Sequence, residues 1–218
     1  ADGFRLQAWR EPELAALQKQ LQQINLLPAL ADSFRMERVA VCHTLETSTA
    51  RELAKVFGQG RPDESLWQRI TNPMFLLFKL APRGWLYQNL TVSAAATASE
   101  AYDTERQIIK PGVAEAATRE IERLDTHRSP YTILAVIALP NYTRATQTTA
   151  RNQTLVNQAL IVCALERYRL AHGGYPETLN ALVPQFVEKL PHDVIGGQPL
   201  QYRRVSDGQF VLYSVGWN

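Results

Sequence analysis

Leu14, Leu17, Leu21 and Ile24 recur at spacings of three and four residues. That periodicity places them on one face and predicts a helix over 11–27. Pro12 suits a first helical turn, and Glu11 and Glu13 suit the positive end of the helix. Pro28 is expected to end or kink it. Residues 29–58 carry the next helical pattern, with Gly58 as a natural C-cap. Beyond the loop "GQGRPDES", Asp63 can cap a short helix through Leu66, Trp67 and Ile70. Residues 72–89 are densely apolar and aromatic, interrupted by Pro82 and Gly84, and predict a core-forming corner. Residues 90–110 read as a helix rich in small side chains. Pro111-Gly112 breaks it, and 113–127 is a further amphipathic helix.

After Ser129-Pro130 one long helical stretch is expected, bent at Pro140 and running to Gly173-Gly174. Leu155, Val156, Ala159, Val162, Cys163 and Leu165 form its expected buried face. The two glycines supply the left-handed stop that helix ends favour. Tyr175-Pro176 then runs extended, because a residue before proline avoids the helical region. A short helix, "TLNALV", follows and is closed by Pro184. "PLQYRRV" and "QFVLYSV", joined by Ser206-Asp207-Gly208, predict a β-hairpin. Leu200, Tyr202, Phe210 and Leu212 alternate so that they can cover one side of a helix.

The pattern therefore gives an α+β fold, predominantly α-helical. A helical body over 1–129 precedes a region over 130–218 made of a long helix, a short helix and a C-terminal antiparallel β-hairpin. At 218 residues the chain can bury a sizeable core. Its net charge of +2 is evenly spread, with 17 basic and 16 acidic residues over 1–149 and 6 and 5 thereafter. No domain-wide field points to nucleic acid or an anionic membrane, so nucleic acid is not expected as a partner and a membrane only through a segment outside this chain. The longest apolar runs, 74–81 and 132–139, fall far short of the roughly 20 residues a membrane-spanning helix needs. The chain opens at Ala1-Asp2 without Met, so a segment removed upstream is expected.

The C-terminal stretch resembles the globular part of type II secretion major pseudopilins and related type IV pilin-like proteins. The residues that carry the likeness are Leu165, Tyr168, Gly173, Gly174, Tyr175, Pro176, Leu179, Leu182, Pro191, Asp193, Gly197, Pro199, Tyr202, Tyr213, Ser214 and Gly216. The family's processing motif, Gly-Phe-Thr-Leu-Ile-Glu, is absent. In major pseudopilins an aspartate-rich calcium loop follows the Ser-x-Gly element, whereas here the sequence ends at Trp217-Asn218, so calcium binding is not carried over. Taken whole, the chain resembles a bacterial group of membrane-anchored proteins without an assigned activity. "ELAALQKQL", "PRGWLYQN", "CALERYRLAHGGYPETLNALVP", "LPHDVIGGQPLQYRR" and "FVLYSVGWN" carry that likeness. It implies an extracytoplasmic body, in the periplasm or cell envelope, held by an N-terminal transmembrane helix outside this chain. It supplies no catalytic residues.

The residues themselves offer little chemistry. The positions three before His43, His127, His172 and His192 are Ala40, Leu124, Arg169 and Lys189, which excludes the Glu-x-x-His motif of di-iron bundles. His-Glu-x-x-His, a P-loop and Gly-x-Ser-x-Gly are all missing. No metal or cofactor is expected. Cys42 and Cys163 sit in apolar helical patterns and can be buried thiols, a disulfide or a reactive group. His43 and Glu46 share a helical face and are the weak catalytic candidates; Asp125 and His127 form a second such pair. Phe75, Phe78, Trp85 and Tyr87 are the ligand-pocket candidates, with plain core as the alternative. Arg203-Arg204 and Arg167/Arg169 could hold an anion, or form ion pairs, and Glu166 with Arg169 can pair along one helix.

Three functional classes follow. The expected one is a non-enzymatic, membrane-tethered structural or protein-interaction module. The alternatives are a pilin- or pseudopilin-like assembly subunit of a secretion system, and a hydrolase or small-ligand-binding protein.

Overall fold

The computed structural model describes residues 9–49, 52–53, 76, 79–80, 82–95, 101–127, 129–139, 142–205 and 208–217. The fold is predominantly helical α+β, with a small antiparallel two-stranded sheet near the C-terminus. Its elements are α1 (Glu11–Gln22), α2 (Leu27–Thr47), α3 (Arg83–Ala95), β1 (Tyr102–Asp103), β2 (Ile108–Ile109), α4 (Pro111–Thr126), α5 (Ile133–Ala138), α6 (Tyr142–His172), a 3₁₀ turn (Leu179–Leu182), β3 (Gln201–Arg204) and β4 (Phe210–Tyr213). The chain divides into two compact units. One comprises Ala1–Leu30, Ala101–Pro111 and Arg144–Asn218, and the other Ala31–Glu100 and Gly112–Thr143.

Several boundaries differ from the sequence expectation, each for a local reason. The chain leaves the helix at Gln22, and Pro28 starts α2 instead of ending α1. In a first turn the missing proline N–H costs nothing. The gap is held by Gln153 of α6, whose Oε1 accepts from the Leu26 N–H at 2.8 Å. Its Nε2 donates to the Ile24 carbonyl at 3.3 Å. Helix α2 stops at Thr47. There Thr49 and Glu52 exchange hydrogen bonds as a capping box, the Glu52 carboxylate accepting from the Thr49 N–H at 2.7 Å. Gly58 and the expected helix at Asp63–Ile70 lie outside the described residues.

Residues 101–110 are not helical. They form a hairpin that pairs Tyr102 with Ile109 and Asp103 with Ile108. Asp103 Oδ1 accepts from the Arg106 N–H at 3.1 Å, and Gln107 turns left-handed at φ 55°. This aspartate turn competes successfully with helix. Pro111 accordingly opens α4. The long helix expected from 130 is interrupted. Leu139 caps α5 with extended backbone, as a residue before proline prefers, while Pro140 itself lies outside the described residues.

The first unit's core joins Leu160, Ile161, Ala164 and Leu165 of α6 to Tyr175, Leu182, Phe186, Val187 and Leu200. Leu21 of α1 and Tyr202, Phe210 and Leu212 of the hairpin pack against it. On α6 the buried face is rotated from the expected one. Leu155 is exposed, Val156, Ala159 and Val162 are half-buried, and Gln153, Thr154 and Glu166 are buried beside Cys163 and Leu165. Both cysteines are free, which excludes the disulfide. The second unit's core gathers Leu45, Leu53 and Leu134 with Val41, Leu86, Leu90 and Ile133.

Candidate functional site

The C-terminal motif residues come together at the end of α6. Gly173 takes φ 80°, and its N–H bonds the Arg169 carbonyl at 2.8 Å, which ends the helix. Thr178 then runs extended into the 3₁₀ turn. The Tyr175 hydroxyl donates to Glu166 Oε1 in a buried bond. The other carboxylate oxygen accepts from Arg169 Nε at 3.0 Å and Nη2 at 2.9 Å. Burial, and after it the Glu166 bond, push the Tyr175 hydroxyl pKa well above the ordinary phenol value. Tyr168 stacks on His172 at 4.1 Å and meets Phe186 edge-on.

The hairpin is fastened to this corner by side chains. In β3–β4, Tyr202 faces Leu212 and Arg204 faces Phe210. The Tyr202 hydroxyl donates to the Pro176 carbonyl at 2.7 Å, the Phe210 ring meets Tyr175 edge-on at 4.7 Å, and Arg204 pairs with Glu177. Asp193 ties the remaining loop. It is buried, and its Oδ1 accepts from the Ile195 N–H at 3.0 Å and Oδ2 from the Val215 N–H at 3.1 Å. Gly196, Gly197 and Gly216 all take positive φ, and a Cβ on Gly197 would lie 3.1 Å from Ile108 Cγ2. Pro191 and Leu179 are half-buried, with Leu179 packed on the core. His192 and Pro199 form an isolated antiparallel bridge. With the inner face thus occupied, Gln201, Arg203, Val211, Tyr213 and Val215 stay exposed, Tyr213 at 51%.

The other candidates are dispersed. His43 and Glu46 both stand exposed on α2 and share no hydrogen bond. A His–carboxylate couple acts as a base through such a bond, so they do not form one here. His127 Nδ1 lies 3.2 Å from the Arg123 carbonyl, the position of a histidine finishing a helix. Phe75 and Phe78 lie outside the described residues, while Trp85 is half-buried and Tyr87 exposed. Arg167 is engaged by Glu11 at 2.8 Å, by Gln18 Oε1 at 3.0 Å and by the Phe186 carbonyl at 3.3 Å. That network follows the ion-pair alternative instead of an anion site. Among the described residues, no group of three or more His, Cys, Asp or Glu could hold a metal ion, and no helix is long and apolar enough to cross a membrane. Sequence reading missed Gln153, Asn89 and the Tyr175–Glu166 bond. The last had a signal in Glu166 and Arg169 three apart, a pair poised to accept a third partner. No family model, curated protein or solved structure matches the chain.

Proposed function

We propose that the chain is an extracytoplasmic, membrane-tethered module that works by protein recognition and not by catalysis. Its recognition element is the pseudopilin-like C-terminal hairpin. The observation that carries the reading is the contrast between the two hairpin faces. Tyr202, Phe210 and Leu212 pack on the core, while Val211, Tyr213 and Val215 stay in solvent beside Arg203. A two-stranded ribbon alone is marginal in water. Fixed through Tyr175, Tyr202 and Asp193, it becomes a preorganised surface that loses little entropy on binding.

The test is a photo-cross-linking residue at position 213, with Glu188 as an exposed control site. In cells, the protein carrying its expected N-terminal anchor should fractionate with the envelope and give a discrete heterologous adduct from position 213 only. A ladder of self-adducts would favour the assembly subunit. A soluble cytosolic chain, or identical adducts from both sites, would end the proposal.

A further inference from the structure

The β3–β4 ribbon has two outer edges, and they differ. Just beyond the paired strands, the Val205 N–H donates to the Gln209 carbonyl at 2.8 Å. In an antiparallel pair such bonded positions alternate with unbonded ones. Arg203 opposite Val211, and Gln201 opposite Tyr213, therefore turn their backbone groups toward each other. The positions between them turn outward: Phe210 and Leu212 on β4, Tyr202 and Arg204 on β3. Among the described residues no third strand pairs with either edge. Phe210 and Leu212 thus present N–H and C=O groups at the spacing an extended backbone matches.

Charge separates the two edges. β3 carries Arg203 and Arg204, and charged side chains guard a sheet edge against pairing. Residues 208–218 contain no charged side chain and no proline, so β4 lacks both guards. Val211 and Tyr213 are exposed on the outer face, where they can flank alternate side chains of an added strand. Arg203 lies opposite Val211 on that face, exposed and, among the described residues, without an ion pair. An added strand runs two strand spacings from β3, roughly 9.6 Å, a gap that Arg203 and a carboxylate side chain span together. A second copy of β4 brings no acidic side chain to that place. A different chain with an acidic residue does.

We propose that β4 is the acceptor edge for an extended segment of another protein, which adds as a third strand beside Phe210–Tyr213. Its backbone bonds Phe210 and Leu212, its apolar side chains pack beside Val211 and Tyr213, and an Asp or Glu on the outer face pairs with Arg203. This names the kind of partner for the hairpin and rests on the recognition reading, adding to it that the edge backbone carries the binding.

Selection of linear peptides from a random library on the intact chain tests it. Peptides that alternate apolar residues and carry an acidic one are expected. With such a peptide bound, amide exchange at Phe210 and Leu212 should slow about tenfold, the effect of one hydrogen bond each. N-methylleucine at position 212, introduced by ligating a synthetic C-terminal segment, keeps the side chain on the core and removes only an outward N–H. It should leave the melting temperature unchanged and weaken peptide binding about tenfold. Arg203→Glu should weaken binding roughly fivefold, and a peptide with Lys in place of its acidic residue should recover the loss. The proposal is overturned if no peptide is selected, if bound peptide leaves exchange at Phe210 and Leu212 unchanged, or if the N-methyl variant binds like the parent. A lowered melting temperature in that variant would show the Leu212 N–H held within the fold, and overturns the open edge. A dimer that the N-methyl group dissolves overturns the proposal too, by giving the edge to a second copy. A heterologous adduct from position 213 beside any of these results keeps the recognition surface and strikes the added strand alone; absence of that adduct ends both.

Discussion

Asp193 holds Val215 across twenty-two residues of chain, its Oδ2 accepting the Val215 backbone N–H while Oδ1 holds Ile195. The same residue's backbone bonds Gln198 and Gly197, so one buried side chain closes both the glycine loop and the exit from β4. Asp193→Ala leaves two N–H groups unpaired and should cost about 2–4 kcal/mol. Asp193→Asn keeps one acceptor and should cost roughly half. Denaturant titration gives both values, and amide exchange at Ile195 and Val215 should accelerate in the alanine variant alone by the larger factor. Unchanged exchange at Val215 would remove the proposed role of Asp193 in anchoring the hairpin exit.

Gly173 and Gly197 share a positive φ but not an environment. Around Gly173 a Cβ meets open space, so Gly173→Ala should cost only the left-handed strain, about 1 kcal/mol. Gly197→Ala adds a clash with Ile108 and should cost about 2–3 kcal/mol. The added part should shrink in the double variant with Ile108→Ala, since the two residues touch. Equal melting shifts for the two glycine variants would contradict this.

Asn89 is the corresponding device in the other unit. Its Oδ1 accepts from the N–H groups of Leu134 and Ala135 at 3.0 and 3.1 Å. Its Nδ2 donates to the carbonyls of Trp85 and Pro130 at 2.8 and 2.9 Å. An amide on α3 thus caps α5, a task usually left to a residue of the capped helix itself. Asn89→Leu keeps the volume and abandons all four bonds, for an expected loss of about 3 kcal/mol. Asn89→Asp retains the cap but loses the two donors, and should fall between. A leucine variant as stable as the parent would show that the cap is dispensable.

What the sequence could disclose follows the range of the interactions. The glycine stop at 173, the 3₁₀ turn and the β3–β4 hairpin obey rules confined to a few residues, and each stands where its residues predict. The same holds for the alternation that packs Tyr202, Phe210 and Leu212 inward. Within the helix expected over 90–110, residues 90–95 are helical and 101–110 misled, because the decisive bond there, Asp103 to the Arg106 N–H, depends on one rotamer. Gln153 could not be found by periodicity at all. A polar residue counts as a surface position until its partners, Ile24 and Leu26, are brought to it from more than a hundred residues away. Of the candidate site, the resemblance supplied Tyr175, Tyr202 and Asp193, but not their acceptors and donors, which are tertiary.

Alkaline pH should expose the buried acids in sequence. Burial pushes the Cys163 thiol from 9.0 up to about 11, and the Tyr142 hydroxyl from 10.0 up to about 12. Both groups are protonated in the fold and ionise more readily in the unfolded chain. Their contribution is therefore complete below pH 9 and is lost as pH rises through the folded-state values. Stability should fall between pH 9 and 11 by about 1.4 kcal/mol per pH unit for each group inside its window. Cys163→Ala carries a constant packing penalty, but it removes the thiol from the titration, so its decline should begin nearer pH 10. Urea midpoints at half-unit intervals from pH 7 to 11 distinguish the cases. Parallel curves for parent and variant would mean that the thiol ionises alike in both states and that its burial does not govern the alkaline limit.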